Sequence, residues 1–142
     1  MDYKNRNVLA LAYLGDSVYE IYVREYLVKK GIEKVFELQK SATEYVSARG
    51  QDKYLKLLIN NNILTDEELA LVHRARNHKS HAHPKNTDAG TYHNATGLEA
   101  LIGYLFLIED KNRINEIMNF ILGGNHEENN NSGDDNDSSI GM

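Results

Sequence analysis

Apolar residues recur along this chain at intervals of three and four, and almost nowhere at strict intervals of two. That pattern predicts helices and no strand of useful length. From about Val8 to Val28, the positions Val8, Leu11, Leu14, Val18, Ile21 and Tyr22 lie on one face, and Leu9, Tyr13, Val23 and Tyr26 widen it. A face so wide implies burial on more than one side. Lys29-Lys30-Gly31 then supplies cations and a glycine, a good helix end. A second helix is predicted over about Ile32 to Arg49, with Val35, Leu38, Ala42 and Val46 in phase. A third, Gln51 to Asn60, carries Leu55, Leu58 and Ile59. Thr65-Asp66-Glu67-Glu68 is a capping-box pattern that opens a helix running to about Asn77. After a polar stretch from Asn77 to Gly90 comes a long helix, about Thr91 to Asp110. A last one, about Arg113 to Leu122, stops at Gly123-Gly124. The expectation is an all-α helical bundle in one domain over residues 1–124, with no internal repeat.

Composition changes this picture at one end. Residues 125–142 are rich in Asn, Asp, Ser and Gly and read as an acidic disordered tail. The net charge of −5 comes from 16 Lys and Arg against 21 Asp and Glu. The tail holds five of those acids, Glu127, Glu128, Asp134, Asp135 and Asp137, and no Lys or Arg. The body is therefore neutral, and can carry a local basic patch. Cysteine is absent, which excludes a disulfide framework, a thiolate zinc site and a cysteine nucleophile. No apolar run approaches the roughly 20 residues of a membrane span. The N-terminus does not read as a signal or transit peptide. A soluble, cytoplasmic protein is expected.

Two acids stand out. Asp16 lies in the middle of the most apolar helix, with Ala12 one turn back and Gly15 beside it. Glu99 lies in a second strongly apolar helix, between Ala95 and Gly103. A carboxylate buried in such a helix is costly unless a cation, a hydrogen-bond network or a metal meets it. Glycine inside a helix costs about 1 kcal/mol relative to alanine, so Gly97 and Gly103 suggest close approach by another element. Two such acids could face each other and share a hard cation, with Glu20 one turn beyond Asp16 able to join. Oxygen ligands without cysteine favour Mg²⁺ or Mn²⁺. The residues alone leave open a structural role for each acid, paired with Arg24, Arg74 or Arg76.

The third feature is Arg74-Ala75-Arg76-Asn77-His78-Lys79-Ser80-His81-Ala82-His83-Pro84-Lys85-Asn86. Between His73 and His93 four cations, Arg74, Arg76, Lys79 and Lys85, oppose Asp88 alone, a net +3. Cations, amides and hydroxyls on a loop suit phosphate binding, although a solvated surface loop has the same composition. His81 and His83 could bind a metal adventitiously, but no motif places a third ligand for zinc.

Taken together, these motifs resemble the Mini-ribonuclease III family, a compact bacterial branch of the ribonuclease III superfamily. Leu9-Ala-Leu-Ala-Tyr-Leu-Gly-Asp-Ser-Val-Tyr-Glu20 is similar to the ribonuclease III signature helix, with Leu14-Gly15-Asp16 at its centre. Glu99-Ala-Leu-Ile-Gly103 is similar to the second acidic motif. Arg74 to Ser80, followed by Pro84-Lys85-Asn86-Thr87-Asp88, is similar to the linking loop of the Mini branch. The resemblance spans nearly the whole chain apart from the tail. It implies a ribonuclease III-type endonuclease domain with Asp16 and Glu99 as catalytic metal ligands. It further implies Mg²⁺ (or Mn²⁺) as cofactor, a homodimer, and hydrolysis of double-stranded RNA that leaves a 5′-phosphate. The expected substrate is precursor large-subunit ribosomal RNA, which makes ribosomal particles a possible partner. Arg74, Arg76, Asn77, Lys79, Ser80 and Lys85 are the residues expected to contact RNA. Larger ribonucleases III use four carboxylates. Ala12 and Thr96 stand at two of those positions here, as is typical of the Mini branch. The separate double-stranded-RNA-binding domain of the larger enzymes is also missing after Leu122. Two other readings compete. One is a non-catalytic RNA-binding or ribosome-assembly factor. The other is a helical metal phosphohydrolase, for which the chain lacks an adjacent His-Asp dipeptide.

Overall fold

In the computed structural model, residues 5–78, 85 and 88–124 are described. Among them the chain forms six helices: α1 Val8–Lys29, α2 Val35–Val46, α3 Ala48–Asn60, α4 Asp66–Arg76, α5 Ala89–Leu107 and α6 Lys111–Gly123. The all-α expectation holds. The acidic-tail reading of residues 125–142 lies outside the described residues.

Local chemistry accounts for most helix ends. Asn7 caps α1 by accepting from the Leu9 amide at 2.8 Å, and Gly31 leaves the helix at φ 96°. The capping box at α4 is complete: Thr65 Oγ1 accepts from the Glu68 amide at 3.1 Å, and Glu68 Oε1 accepts from the Thr65 amide at 2.9 Å. The periodicity predicted one helix through to Arg49. The structure breaks it at Ser47, whose extended backbone (ψ 159°) and hydroxyl cap α3 by accepting from the Gly50 amide at 3.0 Å. A Cβ at Gly50 would overlap the Glu44 carbonyl, so this corner closes only around glycine.

Helix α5 is the centre of the bundle. It packs most extensively on α1 and also against α3 and α4, with α2 and α6 completing the shell. Its composition explains this position: Ala95, Leu98, Ala100, Leu101, Ile102 and Leu105 are all buried, on several sides of the helix. Helix α1 behaves differently from its wide apolar pattern. Val8, Leu11, Val18, Tyr19, Val23 and Leu27 are buried towards the core. Tyr13, Ile21 and Val28 are exposed, at 85%, 65% and 59%. Opposite α1, the buried Glu68 of α4 is held by Arg113 of α6 through two hydrogen bonds of 2.7 Å. Arg113 also donates to the Ile63 carbonyl at 2.6 Å, tying the α3–α4 turn to α6.

Candidate active site

The site is made where α1 crosses α5. A Cβ at Gly15 would overlap the carbonyl oxygen of Glu99 and stand 2.7 Å from the Gly103 nitrogen. A Cβ at Gly103 would overlap the carbonyl oxygen of Leu11 and stand 3.0 Å from the Gly15 nitrogen. The two helix backbones are thus in contact, and only glycine permits it. Asp16 follows Gly15, and Glu99 is one turn before Gly103. The backbone contact therefore sets the two carboxyl groups side by side. The small residues flagged beside each acid are what let the acids meet.

Asp16 is not buried, contrary to the expectation for a carboxylate inside an apolar helix. It is exposed, at the rim of the crossing, on the same outer stripe as Tyr13, Ser17 and Ile21. The reason is that α1 buries the face turned to α5 and its neighbours in the bundle, and the outer positions of its broad apolar pattern face solvent. Glu99 is half-buried beneath it. Burial, and then the negative charge of Asp16 within hydrogen-bond reach, push the Glu99 carboxyl up to about 8, and the amide of Gln51 opposes that rise. Two carboxyl groups forced together, one of them holding its proton near neutrality, would be stabilised by a positive charge beside them.

The partners weighed from sequence do not supply that charge. Arg24 makes its ion pair with Glu20, its neighbour one turn away on α1. Glu20 is therefore engaged by a cation of its own. Arg74 donates to the Arg6 carbonyl at 3.5 Å. Among the described residues neither Asp16 nor Glu99 has a Lys or Arg partner. The donor set consists of hard carboxylate oxygens, so a Mg²⁺ or Mn²⁺ ion fits it. The positions that carry further acids in larger relatives contribute none: Ala12 is buried, and the Thr96 hydroxyl donates to the Tyr92 carbonyl at 3.1 Å. Among the described residues no group of three or more His, Cys, Asp or Glu is placed to hold a metal, so the pair of acids is the described oxygen donor set here.

Behind Glu99 the site has a rigid wall that sequence reasoning did not identify. Gln51 of α3 is 1% exposed, and its Nε2 has no hydrogen-bond partner among the described residues. Next to it, Asp52 accepts from Asn94 Nδ2 of α5 at 2.6 Å and pairs with Lys56 at 3.2 Å. Tyr19, fully buried, donates to the Tyr45 carbonyl at 2.8 Å, and Tyr45 stacks on Tyr54. One signal for Gln51 was available: it sits in phase with Leu55 and Leu58, a polar residue on the apolar face of its helix.

Arg74, Arg76 and Asn77 lie at the C-terminal end of α4, where Arg74 and Asn77 are exposed and Arg76 is half-buried. The Arg76 side chain packs against Gly97 of α5, two residues before Glu99 and therefore on a different side of that helix. Lys85 is exposed. Lys79 and Ser80, and with them His81 and His83, lie outside the described residues.

A model of the ribonuclease III domain matches residues 9–110, which include both acids and the glycines between them. The chain belongs to the Mini-ribonuclease III family. It is 47% identical over 121 residues to Mini-ribonuclease 3 of Enterococcus faecalis, covering 85% of this chain and 92% of the relative. To Mini-ribonuclease 3 of Staphylococcus aureus it is 41% identical over 116 residues, covering 82% and 87% respectively. A crystal structure of a protein from Fusobacterium nucleatum superposes with a TM-score of 0.74 at 31% identity, covering 87% of this chain and 98% of the other. Membership of the Mini-ribonuclease III family gives the activity class, an endoribonuclease.

Proposed function

We propose that this protein is a divalent-metal-dependent endoribonuclease that hydrolyses double-stranded RNA, with Asp16 and Glu99 as its metal ligands. One observation carries the reading: two carboxylates are held against each other by a glycine-on-glycine helix crossing, one of them exposed towards solvent and neither met by a cation. Asp16 and Glu99 would hold Mg²⁺ or Mn²⁺, which when bound polarises the phosphoryl oxygen and lowers the pKa of an attacking water. The chain's own part is positional. Half-buried Glu99 is the fixed member of the pair, and exposed Asp16 presents the site to the RNA. Arg74 and Arg76 at the end of α4, with Asn77 and Lys85, would grip the phosphate backbone, which positions a duplex without reading its sequence. Lys79 and Ser80 belong to the same proposed contact surface. The product carries a 5′-phosphate.

The working form is a homodimer, because one active site cuts one strand and a duplex has two. Exposed Tyr13, Ile21 and Val28 on α1, with Val35 and Phe36 on α2, support a second copy docking there, at 85%, 65%, 59%, 69% and 77% exposure in the single chain. Among the described residues no helix is long and apolar enough to cross a membrane. A cytoplasmic setting, with precursor large-subunit ribosomal RNA as substrate, free or on ribosomal particles, completes the reading. The domain is residues 1–124, and the tail is an acidic appendage.

The test is cleavage of long duplex RNA by the full chain with Mg²⁺. Asp16→Asn and Glu99→Gln should each lower turnover at least ~100-fold, since loss of a metal worth several kcal/mol to the transition state costs tenfold per 1.4 kcal/mol. Intact RNA with the wild-type protein, or variants as active as wild type, would overturn the reading. Binding without turnover across several metals would point to the non-catalytic RNA-binding factor instead.

A further inference from the structure

The buried amide of Gln51 has no use in the reading given so far. Among the described residues the buried polar side chains are Gln51, Asp52, Glu68 and Thr96. Three of them are answered: Asp52 by Asn94 and Lys56, Glu68 by Arg113 and Thr65, and Thr96 by the Tyr92 carbonyl. Gln51 is the exception, because its Nε2 is buried without an acceptor of hydrogen-bond geometry. An unsatisfied buried amide is destabilising, and a methionine or leucine of similar size would avoid that cost. A glutamine kept in such a position needs a reason.

The surroundings supply one. Gly50, pressed against the Glu44 backbone, and the Ser47 cap fix where α3 begins. The Asn94–Asp52 hydrogen bond locks the next residue of α3 to α5, the helix that carries Glu99. Gln51 is thereby held at the start of α3, where that helix packs against α5, with Glu99 as its carboxylate neighbour. At 1% exposure it is shielded from any RNA, so it can act only through Glu99.

We propose that Gln51 is a positioning residue, whose Nε2 donates to one oxygen of the Glu99 carboxylate and leaves the other oxygen aimed at the Asp16 side of the site. The proposal rests on the metal-nuclease reading for its consequence, but not for the contact itself. Were a cation held by Asp16 and Glu99, a donor on the outer side of the Glu99 carboxylate would fix its orientation, as hydrogen bonds to ligating carboxylates commonly do, and the buried Gln51 Nε2 is a donor without another acceptor.

Gln51→Met in the full chain tests this, because methionine keeps the volume and removes the donor. Mn²⁺ affinity, measured by titration calorimetry without RNA, should weaken about tenfold. At a fixed, sub-saturating metal concentration kcat on duplex RNA should fall by a similar factor while KM for RNA stays put. The melting temperature of the metal-free variant should stay level or rise, which separates positioning from a merely structural role. Unchanged Mn²⁺ affinity, or a loss of affinity that simply follows a fall in melting temperature, would overturn the proposal. A second measurement avoids any question of folding: the side-chain amide resonances of Gln51 in the wild-type protein, followed by NMR. Glu99→Gln should move them in the absence of metal, which tests the contact whatever the protein's activity. Mg²⁺ should move them in the wild type and not in Glu99→Gln. Resonances indifferent to Glu99→Gln sink the positioning role. A contact that responds to Glu99→Gln in a protein that never binds metal leaves the pairing standing and sinks the nuclease reading.

Discussion

Replacing Gly15 with alanine adds one methyl group at the point where α1 and α5 touch, and its effect can be worked out from the structure. In an open helix the change would stabilise by about 1 kcal/mol. Here the new Cβ would overlap the Glu99 carbonyl oxygen and stand 2.7 Å from two more backbone atoms, the Glu99 carbonyl carbon and the Gly103 nitrogen, where ordinary contact begins at 3.4 Å. Overpacking a core costs about 1–3 kcal/mol, and the upper end applies because the obstacles are backbone atoms that no rotamer change can move. The net loss should be about 2 kcal/mol. At roughly 4 °C per kcal/mol for a domain of this size, the melting temperature should fall by ~8 °C. Urea denaturation of the full chain measures the free energy directly, and Gly97→Ala serves as the control. At Gly97 the nearest atoms are the side-chain carbons Val72 Cγ1 at 3.0 Å and Arg76 Cγ at 3.2 Å, which can shift, and the Val72 carbonyl oxygen at 3.3 Å, which must give by only a few tenths of an ångström, so that variant should stay within about 1 kcal/mol of wild type. The α1–α5 separation that rescues Gly15→Ala also parts Asp16 from Glu99. Its Mn²⁺ affinity should therefore drop even under conditions where the variant is fully folded. A Gly15→Ala protein as stable as wild type would refute the claim that this crossing is in backbone contact. A stable fold with full metal affinity would refute the link between the crossing and the site.

Three further outcomes are expected. Because Glu99 is held up at about 8 in the folded chain and is an ordinary carboxyl when unfolded, the folded state binds the extra proton between those values. The metal-free protein should accordingly lose stability as pH rises from about 4.5 towards 8, and Mg²⁺ or Glu99→Gln should flatten that slope in thermal melts; a metal-free slope of the opposite sign contradicts the paired-acid geometry. Arg113→Met leaves Glu68 buried against an apolar side chain and should cost about 3 kcal/mol by urea denaturation, with part of that recovered in the Glu68→Gln double variant; full stability of the single variant would show the pair to be dispensable. Binding of catalytically silent protein to duplex RNA should weaken steeply with salt, and Arg76→Ala should reduce the slope of log affinity against log salt by about 1; a flat response would remove the α4 end from the RNA surface.

Much of this protein is written in local patterns. The six helices, the Thr65–Glu68 capping box and the Gly31 stop follow from spacing and end chemistry, which act within a few residues and need no tertiary partner. Asp16 and Glu99 were visible as acids among apolar neighbours, and their motifs pointed to each other across more than eighty residues. What local pattern could not show was which side of α1 would be covered. Its apolar positions run nearly all the way round, so only packing against the rest of the bundle, α5 above all, decided that Tyr19 is buried, that Tyr13 and Ile21 face outward, and that Asp16 stands at the rim rather than inside. The break between α2 and α3 was legible but its position was not: spacing put it after Arg49, whereas the Ser47 cap and the close corner at Gly50 set it at Ser47. Gln51 is the sharpest case. Its polarity was out of place in the sequence, but its role depends on the carboxylate it faces, 48 positions along the chain. Sequence determines which groups a helix carries, because that is set residue by residue. Which groups meet is decided by how closely two helices can approach, and here that distance is set by two glycines, Gly15 and Gly103, that touch only in the folded chain.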